Sequence, residues 1–186
     1  MDKYNLPTSV KIDNVDCSFN TDYRDILLIF ECLTDPDLLD AEKVIIALDL
    51  FYLDDCYKIN IEQAIKEMYC FISQSTEEEI LKPQPERKPV YDWEQDFNII
   101  IAPVNKILGY DVRGVEYLHW WTFLSAFMEI GESTFNTYMS IRDKLNRGKK
   151  LDDYEERLVR ENRDKIILKK KVDSTTQSLM DEILGV

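Results

Sequence analysis

Val115-Glu116-Tyr117-Leu118-His119-Trp120-Trp121-Thr122-Phe123-Leu124-Ser125-Ala126-Phe127-Met128-Glu129-Ile130 is the most apolar stretch of the chain. Read at helical spacing, its large side chains fall on nearly every face, and a helix without a polar face belongs at the centre of a packed core. Glu116, His119 and Glu129 interrupt it, and it is shorter than the ~20 residues a membrane-spanning helix needs. The stretch therefore predicts one central buried helix over 115–130, with the rest of the chain arranged around it.

On its C-terminal side, Gly131 ends that helix and Ser133 or Thr134 starts another, through Tyr138 and Ile141 to Leu145, with Gly148 as a stop. Leu151 to about Lys171 reads as one long charged helix, because Asp153/Arg157, Glu156/Arg160 and Glu161/Lys165 stand four apart in the favourable order. On its N-terminal side, Asp92 caps a helix carrying Trp93, Phe97, Ile100, Ile101 and Val104, with a kink expected at Pro103 and an end at Gly109. Residues 74–90 hold Pro83, Pro85 and Pro89 beside three consecutive glutamates, the composition of an extended, semi-rigid linker.

Before the linker, Val10, Ile12, Val15, Cys17 and Phe19 alternate with polar residues around the turn pair Asp13-Asn14, which predicts a β-hairpin. Asn20 or Thr21 is expected to cap a helix carrying Ile26, Leu27, Ile29, Phe30 and Leu33. Asp35-Pro36 reads as the start of a helix from Leu38 to Leu53, with Val44, Ile45, Leu48 and Phe51 at helical spacing. Asn60 with Gln63 resembles a capping box before Ile61, Ile65, Met68, Tyr69 and Ile72. The fold class expected is mainly α, six to eight helices with a small N-terminal hairpin. Its organisation is an acidic subregion over 1–73, a linker over 74–90, an aromatic-rich subregion with the charged helix over 91–171, and a tail over 172–186.

Composition narrows the function. The 186 residues are 45% hydrophobic and 32% charged, with five glycines and a net charge of −13. So few glycines disfavour Gly-rich phosphate loops and long β-meanders, and the charge disfavours nucleic-acid backbones and anionic membranes as partners. The N-terminus lacks a basic-then-apolar signal layout, so a cytosolic, soluble protein is expected. The charge is uneven. Residues 1–92 carry nine basic and 20 acidic side chains, a net of −11, whereas 93–186 carry 14 and 16, a net of −2.

Chemistry is sparse. Cys17, Cys32, Cys56 and Cys70 include no close pair of the kind zinc and redox sites use, and are expected to be reduced, apolar-behaving thiols. His119, the single histidine, is expected to be structural. Adjacent carboxylates such as Asp54-Asp55 and Asp152-Asp153 point apart on a helix and make no acid/base pair by themselves. No enzyme, metal or cofactor is expected. Two regions are candidates for binding protein. Residues 142–171 hold 12 basic and seven acidic side chains, including Arg157 and Arg160; they read as a solvated face or as a contact for an acidic protein, including another copy's first half. The aromatics Trp93, Phe97, Tyr117, Trp120, Trp121 and Phe123, with His119, read as core or as the lining of a groove that accepts an amphipathic helix.

Tyr91-Asp92-Trp93-Glu94-Gln95-Asp96, Gly109-Tyr110-Asp111-Val112, Tyr117-Leu118-His119-Trp120-Trp121-x-Phe123 and Tyr138-x-x-Ile141-Arg142 together resemble the bacteriophage gene-product-fifteen (Gp15) family of tailed phages and prophages of Gram-positive bacteria. The resemblance covers most of the chain, although Pro103 stands where an uninterrupted helix is expected. It implies a tail-morphogenesis protein of the host cytoplasm, a tail assembly chaperone that coats the tape-measure protein or contacts other tail proteins; a homo-oligomer is an expectation from the charge asymmetry of the two halves alone. The alternative is a structural component of the tail or connector retained in the virion.

Overall fold

The computed structural model describes residues 5–82 and 88–169. Pro83 and Pro85 of the linker, and the tail from residue 172 with its apolar run, lie outside the described residues. The fold is mainly α with one N-terminal antiparallel hairpin. The described helices are α1 (Tyr23–Thr34), α2 (Asp40–Phe51), α3 (Ile61–Ser73), α4 (Glu77–Ile80), α5 (Trp93–Leu108), α6 (Trp120–Met128), α7 (Thr134–Asn146), α8 (Asp153–Glu161) and α9 (Arg163–Ile166). Of these, α4 and α9 are single turns. Two compact units form: among the described residues, one holds 5–82 with Tyr117–Trp121, the other 88–116 with 122–169.

In the first unit, strands β1 (Ser9–Ile12) and β2 (Val15–Ser18) pair Ile12 with Val15 across Asp13 and Asn14. Both turn residues have positive φ, 46° and 69°, as a tight two-residue hairpin requires. The hairpin is held by the first turn of α3. Asn60 caps that helix by accepting from the Gln63 amide. The Gln63 side chain does not complete a capping box; it accepts from Asp13 N and donates to Lys11 O, both at 3.1 Å. Ile12, Phe19, Tyr23, Ile26, Leu48, Phe51, Met68 and Phe71 form the core, with the Phe19 and Phe51 rings stacked at 4.7 Å.

Several local expectations change. The cap of α1 is Asp22, which accepts from Arg24 N, while Asn20 donates to Leu50 O. Asp35-Pro36 ends α1 instead of starting α2: Asp35 is the C-cap, its carboxylate accepts from Asp37 N, and α2 begins at Asp40 with Glu42 reaching back to Leu39 N. Cys17 and Cys56 are paired, with Cα atoms 5.9 Å apart, because β2 lies against the 3-10 turn Asp55–Ile59; four separate thiols were expected. Cys32 and Cys70 are free, half-buried thiols whose pKa burial raises. The linker includes α4, nucleated by a capping box in which Thr76 and Glu79 satisfy each other's amides.

In the second unit, Asp92 caps α5 by accepting from Gln95 N, and the helix runs through Pro103 to Gly109, whose φ of 80° closes it. Ile100, Ile101, Val104, Phe123, Phe135, Tyr138, Ile141 and Ile166 form its core. The long charged helix expected over 151–171 is broken: α8 stops at Asn162, which leaves helical geometry at φ −132°, and a single further turn follows. None of its three expected four-spaced pairs is among the ion pairs of the described residues; Lys144 bonds Glu155 at 2.5 Å instead.

The largest change concerns the opening stretch. Only Trp120–Met128 is helical. Residues 115–119 before it are not helical, and Asp22 and His119 form an isolated antiparallel bridge.

Candidate functional site

The Leu118-His119-Trp120-Trp121 segment is built into the first unit by its backbone. Leu118 N donates to the Asp22 carboxylate at 3.1 Å, Tyr23 N donates to Leu118 O at 3.0 Å, and Trp120 N donates to Thr21 O at 2.6 Å. These bonds compete with the amide-to-carbonyl ladder of a helix and win locally, because they also satisfy the exposed N-terminus of α1. The two indoles then close the far end of α3. Trp120 Nε1 donates to Ile72 O and Trp121 Nε1 to Phe71 O, both at 2.8 Å, so adjacent tryptophans bond carbonyls of the last turn, where Phe71 O also accepts from Gln74 N at 3.3 Å.

His119 is 3% exposed. Its Nδ1 accepts from Trp121 N at 3.0 Å, which makes Nε2 the protonated nitrogen, and Nε2–H donates to Pro7 O at 3.0 Å. Its ring packs edge-on to Phe71 at 5.7 Å. Neither nitrogen takes a proton from a substrate without breaking one of these bonds.

In the second unit, Trp93 packs on Phe127 at 4.7 Å and on Tyr91 at 5.3 Å. Trp93 and Tyr91 also line an open cavity of about 880 Å³ with Pro89, Val90, Asn146 and Arg147. Beside it lies a pair the sequence reading did not single out for a role. Arg142 holds Asp96 with two bonds of 2.5 and 2.9 Å, and its other N–H groups go to Ile166 O, Val90 O and Lys165 O. All five guanidinium donors are engaged, and the Asp96 carboxylate accepts a third bond, from Asp92 N at 3.0 Å. An acidic residue on the apolar side of α5 and an arginine directly after Ile141 were the only sequence signals of this clasp.

The expected binding residues are therefore dispersed. Trp120, Phe123 and His119 are buried, the core alternative of the two that the sequence left open for this segment. Trp93, Phe97 and Trp121 are half-buried. Tyr117 is exposed, and its hydroxyl meets Thr21 Oγ1 at 2.7 Å. Arg157 and Arg160 are exposed on α8, Arg157 lying over the Tyr154 ring. The positive field of residues 142–171 is partly cancelled internally, through Arg142–Asp96, Lys144–Glu155 and Arg147–Asp143.

Exposed apolar side chains occur in both units, Ile107, Tyr110, Met128 and Leu145 among those of the second. Leu28, Leu39, Ile45, Ile46 and Leu53, on and around α1 and α2, lie at the surface. Residues 31–55 carry eight carboxylates and one base, Lys43. Nothing in the sequence sets Ile45-Ile46 apart from the adjacent helical pairs Ala47-Leu48 and Ile100-Ile101, which are buried. Among the described residues no group of three or more His, Cys, Asp or Glu is placed to hold a metal ion, and no helix is long and apolar enough to cross a membrane.

Fold and surface define the class first: a mainly α protein with an N-terminal hairpin and an acidic surface set with exposed apolar residues. A family model described as Bacteriophage Gp15 protein matches residues 3–168, and the chain belongs to that phage family. No curated protein and no solved structure matches the chain significantly.

Proposed function

We propose that this protein is a tail assembly chaperone that works in the host cytoplasm, binds the phage tape-measure protein and performs no catalytic step. Membership of the Gp15 family supports a role among phage proteins. The observation that carries the reading is the acidic first unit with Leu28, Leu39, Ile45, Ile46 and Leu53 at its surface. Such a surface covers apolar helical segments of a client while its charge keeps the complex dispersed. Several copies along one long chain gain avidity from weak contacts, which leaves each copy releasable when tail-tube protein arrives. Bonds from both His119 nitrogens to the backbone support a structural residue.

The test is a phage carrying an amber mutation in this gene. The tape-measure protein is expected to become insoluble without this protein, and purified wild-type particles are expected to lack it. Finding it at fixed copy number in virions overturns the reading in favour of a structural tail or connector component. His119→Gln phage are expected to assemble; a dead but folded His119→Gln protein returns catalysis to consideration.

A further inference from the structure

α2 buries Ala47, Leu48 and Phe51. On its opposite side Glu42, Ile45, Ile46 and Asp49, spaced i, i+3, i+4 and i+7, all face solvent. Leu39 before the helix is 71% exposed, and Leu53 just after it 62%. Within α2 the exposed face from Glu42 to Asp49 is about 10 Å long at helical rise, two turns, and Leu39 and Leu53 lie just beyond the two ends of the helix. α1 packs along α2: the Cys32 thiol reaches Lys43 O, and Leu28, one turn earlier on the same side of α1, is 48% exposed. The apolar ridge is therefore broad and flanked by carboxylates, those of Asp40, Glu42, Asp54 and Asp55 being at the surface.

From this arrangement we infer that the outward face of α2, with Leu28 of α1, is a docking surface for a cationic amphipathic helix of another protein. The inference rests on the chaperone reading and specifies its client-binding face. Apolar anchors at helical spacing suit a helix lying along a ridge. Eight carboxylates against Lys43 in residues 31–55 select a partner whose apolar stripe is bordered by Lys and Arg, and accelerate its encounter. A second copy is the wrong occupant. Its first unit is equally acidic; in its second unit Arg142, Lys144 and Arg147 are already paired with Asp96, Glu155 and Asp143, and α8, the helix that exposes Arg157 and Arg160, carries four carboxylates against these two and is not a cationic helix.

The experiment titrates the full-length protein with a labelled Leu/Lys amphipathic helix of about 18 residues, and with a Leu/Glu helix of the same apolar stripe. The Leu/Lys helix is expected to bind and the Leu/Glu helix to fail. Ile45→Asp/Ile46→Asp is expected to weaken binding at least about tenfold with unchanged melting, whereas Ile107→Asp/Leu145→Asp in the second unit leaves it intact. Raising salt from about 50 to about 500 mM is expected to weaken binding in the wild type. Equal binding by wild type and the Ile45→Asp/Ile46→Asp variant, or none by the wild type, overturns the inference. A tape-measure complex that survives the double change overturns this face and leaves the chaperone reading standing. Loss of the Leu/Lys helix on that double change, with no tape-measure complex in the wild type, does the reverse.

Discussion

Asp96 and Arg142 are almost fully buried, and their pairing is complete: every guanidinium donor has an acceptor. Breaking one side leaves an uncompensated buried charge, so Arg142→Met or Asp96→Leu alone is expected to cost about 3–5 kcal/mol, read as a lower urea midpoint. The double variant should recover much of that loss, because apolar groups of similar volume need no partner. Tyr52 and Tyr91 supply a second residue-scale expectation. Burial drives the pKa of both upward, and Glu67 adds to the effect at Tyr52, whose hydroxyl donates to Ala64 O at 3.0 Å. With the folded value above the unfolded one, their contribution is fully present below about pH 10 and is lost as pH rises past it. Melting temperature should fall steeply above that pH, and Tyr52→Phe should flatten the fall. At this scale the sequence concealed the partners. Asp96 and Arg142 stand 46 positions apart, and nothing local pairs them.

Helix ends with local causes were readable. Asp92, Asn60 and Ser133 cap α5, α3 and α7 through their own side chains, and Gly109 closes α5 in the left-handed region. Ends decided by distant groups were not. Val115–Leu118 has the composition of a helix, yet Asp22 and Tyr23 claim the amide and carbonyl of Leu118, and Thr21 O accepts from Trp120 N just after it. Likewise α8 and α9 part at Asn162, while Arg142 and Gln95 draw on the carbonyls of Lys165, Ile166 and Ile167 that follow. Removing the Trp121 donor with Trp121→Phe should cost about 0.5–1.5 kcal/mol, because Phe71 O then loses its side-chain bond. Gln74, the C-cap of α3, sits at φ 52°. Gln74→Gly relieves that left-handed strain and should stabilise the protein by about 0.5–1 kcal/mol in thermal or urea unfolding.

For the whole molecule, the sequence disclosed the helical class, the N-terminal hairpin, the charge imbalance and the family motifs. It did not disclose which apolar residues would remain outside. The aromatic motif drew attention because tryptophans suit interfaces, but Trp120 and Phe123 are buried, while aliphatic residues on and around α1 and α2 are among those left at the surface. Periodicity could not separate these uses, since Ile45 and Leu48 look alike at helical spacing and differ only in what packs over them. The central claim is that this acidic, apolar-studded protein keeps a helical phage client soluble. Its most direct test is co-expression with the tape-measure protein of the same phage, followed by size-exclusion chromatography with light scattering. A soluble complex with several copies per tape-measure chain, lost on Ile45→Asp/Ile46→Asp, is the expected result. An aggregated tape measure with this protein eluting alone, and the same protein found in purified virions, would contradict it.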